Sequence, residues 1–207
     1  MKGSVSGIVL CGGLNSRMQG KNKGRLRLGE RTFLDHLLDT LRPFVSEMFL
    51  VTRDPSLFAP QTGVSVVRDR YEVRSSLTGI QAGLYHCRTP YAFVAACDIP
   101  LLQQGMVELL LQECSEGVDV AVPMSKGYFE PLCAVYSRDC LPAIEDLLEQ
   151  GRLKIINLFD RVRVKQVGED SLRKADPELL SFINVNTQED YERALRWYTK
   201  KQSRTSV

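Results

Sequence analysis

An apolar run near the start of the chain, Val5 to Leu10, breaks at Gly12 and Gly13 into a basic, amide-rich loop carrying Arg17, Lys21, Lys23 and Arg25. Ile8, Val9 and Leu10 fit a buried strand. The two glycines let backbone approach a ligand with no Cβ in the way. Exposed N–H groups in such a turn suit an anion, and the clustered cations suit a polyphosphate whose hydration is partly lost. The stretch therefore predicts a strand that delivers a nucleotide-phosphate loop.

Two better-known phosphate loops fail on spacing. Gly20-Lys21 is followed by Asn22, so the hydroxyl that a P-loop places on magnesium is absent, and no G-x-G-x-x-G follows the strand. A P-loop NTPase and a dinucleotide-binding dehydrogenase are both disfavoured.

Further along, strands and helices alternate. Leu34, Leu37, Leu38 and Leu41 recur at helical spacing up to Pro43. Glu47 to Thr52 and Val64 to Val67 read as short apolar strands, and Asp69 closes the second. A carboxylate just past a strand lies where open parallel sheets bind ligands, although a loop-capping role fits Asp69 equally from position alone. A helix opens at Leu77-Thr78-Gly79-Ile80, where Gly79 suits either close approach of a nucleotide or close helix-to-sheet packing. Tyr91 to Cys97 has a central-strand pattern and Asp98 follows it directly, with Pro100 beyond. Asp98 should face the same crevice as Gly12 and Gly13 if the strands are parallel. Few, hard oxygen ligands are what Mg²⁺ on a nucleotide requires, with phosphates and water completing its shell.

The second half reads as a helix (Gln104 to Cys114), a strand (Val118 to Val122), a loop with Lys126-Gly127 and a strand at Pro131 to Tyr136 opened by Glu130. Leu141 to Leu148 is an amphipathic helix stopped at Gly151, and Arg152 and Lys154 beyond it suit either an acceptor phosphate or, the preferred reading, solvated surface charge. Ile155 to Phe159 is a helix or turn, and Val162 to Val167 a polar-alternating strand. Thr187 suits the N-cap of a helix running through Trp197, with Asp190 at its third position. Capping does not require the alternating pair Asn184 and Asn186, whose amides would share one side of an extended segment. His36 is expected on the surface of its helix, and the polar tail Lys200 to Val207 is expected to be disordered.

Size and charge narrow the functional classes. A chain of 207 residues accommodates one sizeable domain, here residues 1–199, and a net charge of +2 argues against a nucleic-acid surface. No run is long and apolar enough to span a bilayer, and no signal-peptide core precedes the first strand, which predicts a cytoplasmic protein away from membranes. The six cysteines form no C-x-x-C and mostly sit in apolar runs, as buried thiols do. The alternation implies a three-layer α/β/α, Rossmann-like fold with a mostly parallel central sheet.

The opening loop resembles the L-x-G-G-x-x-x-R-M-(x)-G-x-D-K signature of the molybdenum cofactor guanylyltransferases, a nucleotidyltransferase family, through Leu10, Gly12, Gly13, Arg17, Met18, Gly20 and Lys23. Asn22 replaces the family's acidic residue, and Ser75-Ser76 replaces a Gly-Pro pair ahead of Leu77 and Gly79. The C-terminal F-x-N-x-N-T-P-E-D element is matched by Phe182, Asn184, Asn186, Thr187, Glu189 and Asp190, with Gln188 for proline. The resemblance implies a nucleotide site at Leu10, Cys11, Gly12, Gly13, Lys23, Thr52, Asp69, Gly79 and Asp98. It implies catalytic roles for Arg17, Lys23 and Asp98, with Asp98 on Mg²⁺. Asn184 and Asn186 are implied on the acceptor side, where relatives also carry a Pro-Leu element like Pro131-Leu132.

The implied reaction is attack of a molybdopterin phosphate on the α-phosphorus of GTP, giving the guanine dinucleotide and pyrophosphate. A phosphate nucleophile is already ionised near neutral pH and needs no Ser-His or Cys-His pair; none is visible. Mutually repelling anions do need neutralisation and alignment. The resemblance also implies a monomer or weak oligomer that meets molybdoenzymes or cofactor-delivery proteins. The same fold serves cytidylyl transfer to the pterin and nucleotidyl transfer to sugar phosphates, and fold alone does not choose among them. A nucleotide- or cofactor-binding protein without catalysis is the rival of another class, motivated by Asn22 and Ser75-Ser76.

Overall fold

The computed structural model describes residues 5–12 and 23–205, with the side chains of Lys23, Lys201, Arg204 and Thr205 outside the description. Strand β1 (Val5–Leu10) is buried along its whole length, as a strand covered on both faces must be. A small hairpin, β2 (Arg27–Leu28) and β3 (Arg31–Thr32), leads into α1 (Phe33–Leu41). The start of α1 is fixed by a capping box in which Thr32 and Asp35 satisfy each other's backbone amides. Then follow β4 (Glu47–Thr52), β5 (Val64–Arg68), α2 (Ser76–His86), β6 (Tyr91–Ala96) and α3 (Gln104–Gln112).

The second half contributes β7 (Val120–Ser125), β8 (Tyr128–Phe129) and β9 (Cys133–Ser137). It continues with α4 (Leu141–Glu149), α5 (Ile156–Phe159), β10 (Val164–Val167), α6 (Glu169–Ala175) and α7 (Gln188–Thr205). The central sheet runs β10-β7-β9-β6-β1-β4-β5, with β8 paired to β7. The pairs β6–β1, β1–β4, β4–β5 and β10–β7 are parallel, whereas β9 runs antiparallel between β6 and β7. The C-terminal ends of β1, β4, β5, β6 and β7 therefore share one edge.

Side-chain alternation along these strands feeds two apolar layers. Val9, Leu50, Phe93 and Val135 face α1, α3 and α6 through Leu37, Leu38, Met106, Leu110 and Leu172. Ile8, Val51, Val94 and Tyr136 face α2, α4 and α5 through Ile80, Leu84, Ile144, Leu147 and Leu158. A third cluster, with Leu28, Phe33, Leu101, Ile183, Val185 and Ala194, docks the C-terminal segment against the β2–β3 hairpin and α1. The result is the mostly parallel α/β/α architecture that the alternation predicts.

Differences are local. Helix α6, the strands β2, β3 and β8, and the reversed direction of β9 are additions to the elements read from sequence. Helix α7 continues through Lys200 to Thr205. His36 is half-buried: its Nε2 lies 2.9 Å from the Leu28 carbonyl oxygen and its ring meets Tyr198 edge-on.

Candidate functional site

Register brings the ends of four parallel strands level with one another. Leu10 pairs with both Ala96 and Val51, and Thr52 with Arg68. The ladder extends one step further, because the Cys11 amide donates to the Val51 carbonyl at 2.8 Å and the Cys97 amide to the Leu10 carbonyl at 3.0 Å. Beyond this layer lie Gly12, Asp69 and Asp98, each just past its strand. Thr52 is buried; its hydroxyl reaches the Cys11 carbonyl at 3.5 Å and accepts from the Asp54 amide at 3.3 Å. That hydroxyl tethers the base of the glycine turn.

Asp69 lies between two glycines from different elements. A Cβ added to Gly12 would be 4.0 Å from Asp69 Oδ2, and one added to Gly79 would be 3.7 Å from Asp69 Oδ1 and 3.2 Å from Leu10 Cδ2. Gly79 thus packs α2 closely against β1, and its missing Cβ leaves space beside Asp69. Asp69 Oδ1 is buried without a hydrogen-bond partner in the described residues, as is Arg53 Nη1. Burial raises the Asp69 pKa, and the Arg53 charge opposes that rise. A buried oxygen left unpaired is costly unless a ligand supplies the donor.

Ser75 explains one departure from the family pattern. It is the N-cap of α2, its hydroxyl accepting from the Thr78 amide at 3.1 Å. The start of this helix is therefore satisfied without a Gly-Pro pair.

Asp98 is half-buried in the turn after β6. Its carbonyl accepts from the Val185 amide at 2.8 Å, so the segment before α7 is stitched to the Asp98 turn. Ile183 and Val185 are buried, while Asn184 is exposed and Asn186 half-buried. The asparagines thus alternate with two core residues beside Asp98. Thr187 and Asp190 form the expected cap: the Asp190 amide donates to Thr187 Oγ1 at 3.1 Å, and Asp190 Oδ2 accepts from the Asn186 and Thr187 amides at 3.1 and 3.0 Å.

Gly13, Arg17, Met18, Gly20, Lys21 and Asn22 lie outside the described residues, as does the side chain of Lys23, whose backbone opens a short 3-10 turn. All six cysteines are free and buried. Burial, together with the neighbouring Cys97, holds the Cys11 thiol well above its ordinary pKa, which removes it as a nucleophile. Among the described residues no group of three or more His, Cys, Asp or Glu gathers as a metal cluster. A single carboxylate at Asp98 nevertheless fits a hard divalent ion that takes most of its ligands from phosphate and water. Arg152 and Lys154 are exposed in the turn after α4.

Sequence reasoning named Lys126-Gly127 as a loop and Glu130 as the opening of a strand but gave neither a functional role; the hairpin Ser125 to Glu130 rises from the same sheet edge. Lys126 and Gly127 both have positive φ, 52° and 80°, forming a tight two-residue turn that presents Tyr128 at 76% exposure. The signal available was the Lys126-Gly127 pair between two strands.

Known proteins resemble this chain over most of its length. Residues 7–165 match the MobA-like NTP transferase domain. A molybdenum cofactor guanylyltransferase of Desulfosudis oleivorans is 40% identical over 191 residues, covering 92% of this chain and 94% of its own. A probable molybdenum cofactor guanylyltransferase of Carboxydothermus hydrogenoformans is 35% identical, covering 94% and 96%. The crystal structure of molybdopterin-guanine dinucleotide biosynthesis protein A from Archaeoglobus fulgidus superposes with a TM-score of 0.81 at 30% identity, covering 94% of this chain and 99% of that one. A cytidylyltransferase for methylerythritol phosphate from Thermus thermophilus, with a TM-score of 0.69 at 16% identity, shares the fold alone.

Proposed function

The chain belongs to the MobA-like NTP transferase family and is a nucleotidyltransferase, and from that premise we propose that it transfers GMP from GTP to molybdopterin. The observation that carries this reading is the strand-end crevice itself. Asp69 stands between Gly12 and Gly79 on one side of it, and Asp98 is tied to the Asn184–Asn186 segment on the other. Similarity to named guanylyltransferases at up to 40% identity supports GTP and molybdopterin as the two substrates.

In this reading the backbone of Leu10, Cys11, Gly12 and Gly13 cradles the nucleotide, with Thr52 tethering the turn. Asp69 and Gly79 border the nucleoside. Arg17 and Lys23 neutralise the triphosphate, and Asn184 and Asn186 meet the acceptor. The acceptor phosphate oxygen bonds to the α-phosphorus while the bond to the bridging oxygen of the β-phosphate breaks, and pyrophosphate departs. The nucleophile arrives ionised, so the side chains hold and align anions rather than abstract a proton.

Nucleotidyltransferases of this kind generally use a divalent metal. We assign Mg²⁺ to that role, held by Asp98; when bound it offsets phosphate charge and fixes the oxygens for in-line displacement. We further assign residues 1–199 to one catalytic domain, acting as a monomer or weak oligomer in the cytoplasm and handing its product to molybdoenzymes or cofactor-delivery proteins. No described helix is long and apolar enough to cross a membrane.

The test is pyrophosphate release with molybdopterin and Mg²⁺ under GTP, CTP, UTP and ATP in turn. Release with GTP alone is expected. Equal or faster release with CTP moves the assignment to cytidylyl transfer, and GTP binding without release moves it to a binding protein.

A further inference from the structure

Glu130 lies at the strand-end edge on the β7 side of the sheet, with Asp69 at the same edge on the β5 side, and the nucleotide-side roles leave it unused. Its amide donates to the Pro123 carbonyl at 3.0 Å, continuing the β7–β8 ladder, and its carbonyl accepts from the Cys133 amide at 3.0 Å. Two residues on, the Leu132 carbonyl accepts from Ala96 at 2.9 Å, immediately ahead of the Asp98 turn. Glu130 is therefore held by backbone on both sides, at the strand-end edge and beside the strand that carries Asp98.

Its side chain is half-buried, yet among the described residues its carboxylate accepts no hydrogen bond. Burial raises its pKa, with the Lys126 charge opposing. Phe129 packs against the layer covered by α2, α4 and α5, so alternation along the ladder turns Glu130 to the opposite face, the one covered by α3 and α6, where Cys133 also lies. That face also bears the segment leading to Asn184, through the Asp176 and Ser181 hydrogen bonds. Tyr128, two residues back along the ladder, shares the face of Glu130. The hairpin that presents it is tied to α6, because the Lys126 amide donates to Glu169 Oε2 at 3.1 Å.

A fixed, half-desolvated carboxylate beside an exposed aromatic ring suits a flat heterocycle with two adjacent N–H donors. A pterin carries such a pair, its lactam N–H and its 2-amino group. We propose that Glu130 selects the acceptor, its carboxylate receiving the lactam N–H and the 2-amino group of a pterin ring lying along Tyr128. The inference rests on the acceptor assigned under the proposed function and adds the residue that recognises it.

Pterin and lumazine, the same bicycle with an oxo group in place of the 2-amino group, are both fluorescent and can be titrated onto the full-length protein. The wild type is expected to prefer pterin by about tenfold or more, since the oxo group would face a carboxylate. Glu130→Gln, whose amide can donate to the oxo group, is expected to bring the ratio close to unity while binding GTP as the wild type does. Tyr128→Ala is expected to weaken both pteridines alike. A wild type with no preference, or a preference that survives in Glu130→Gln, overturns the inference. The assignment of function fails separately: it falls if GTP and molybdopterin give no pyrophosphate, whatever the pteridine ratio.

Discussion

The Val185 amide donates to the Asp98 carbonyl at 2.8 Å, which joins the C-terminal motif read from the sequence to the residue assigned to the metal. Val185 is fully buried, whereas its neighbours Asn184 and Asn186 are exposed and half-buried. The pair of asparagines is thereby set beside Asp98 by a core residue and a backbone hydrogen bond.

Asp190 holds this segment from behind, its Oδ2 accepting from the Asn186 and Thr187 amides. Asp190→Ala is expected to cost about 1 kcal/mol of stability, the ordinary value of a lost cap. It should also lower turnover while leaving the KM for GTP close to wild type. Denaturant unfolding and steady-state kinetics on the same preparation check both effects.

Asp69→Asn is expected to raise the KM for GTP about tenfold, the scale of one lost charge-assisted hydrogen bond. Burial raises the Asp69 pKa, so GTP affinity in the wild type should start to fall at a higher pH than an exposed carboxylate would dictate. The variant should lack that pH dependence. Equilibrium GTP binding across acid to neutral pH is the measurement.

Gly83 marks a packing requirement distinct from the nucleotide side. A Cβ there would lie 2.6 Å from Ile8 Cδ1 and Cγ2, inside the α2–β1 contact. Gly83→Ala gains about 1 kcal/mol of helix propensity but overpacks a buried β-branched neighbour, at a cost of about 1–3 kcal/mol. A net loss in unfolding midpoint is expected, with GTP affinity preserved.

The strands around the crevice were legible because each is a short apolar run ended by Gly or Asp, and a run buried on both faces needs no other signal. Direction was not legible: Pro131 to Tyr136 is as apolar as a parallel strand, and only pairing shows that β9 is reversed. Helix α6 escaped because Glu169–Ala175 is short, polar and buries only Leu172. His36 looked solvated among polar neighbours, but the β2–β3 hairpin folds Leu28 back onto it and Tyr198 reaches it from the far end of the chain. Ser75 read as a departure from a family motif, and its capping hydrogen bond is local chemistry that a motif comparison does not weigh. Glu130 went without a role because its place beside the Asp98 strand depends on a ladder spanning more than thirty residues.

At the far side of the sheet, Asp119 accepts from the Arg163 amide at 2.8 Å and from its guanidinium at 3.0 and 2.7 Å, joining β7 to the start of β10. The Arg163 hydrogen bonds hold the Asp119 carboxyl below its ordinary pKa, against a smaller opposing effect of burial. A carboxyl more acidic when folded contributes its stability in full above the ordinary carboxylate range and loses it as pH falls through the lowered value. Asp119→Asn should therefore lower Tm most at neutral pH, with the gap closing in acid. Thermal melts of both proteins across that range test it.

The central claim is that Asp98 anchors the metal for guanylyl transfer at the edge where both substrates meet. The direct measurement is the initial rate of pyrophosphate release from GTP with molybdopterin and Mg²⁺, comparing the wild type with Asp98→Ala after unfolding melts establish that the variant is folded. The account predicts steady release by the wild type and a loss of about a thousandfold or more in the variant, the scale of removing a principal electrostatic contribution to a transition state. A folded Asp98→Ala protein that releases pyrophosphate at the wild-type rate would contradict it.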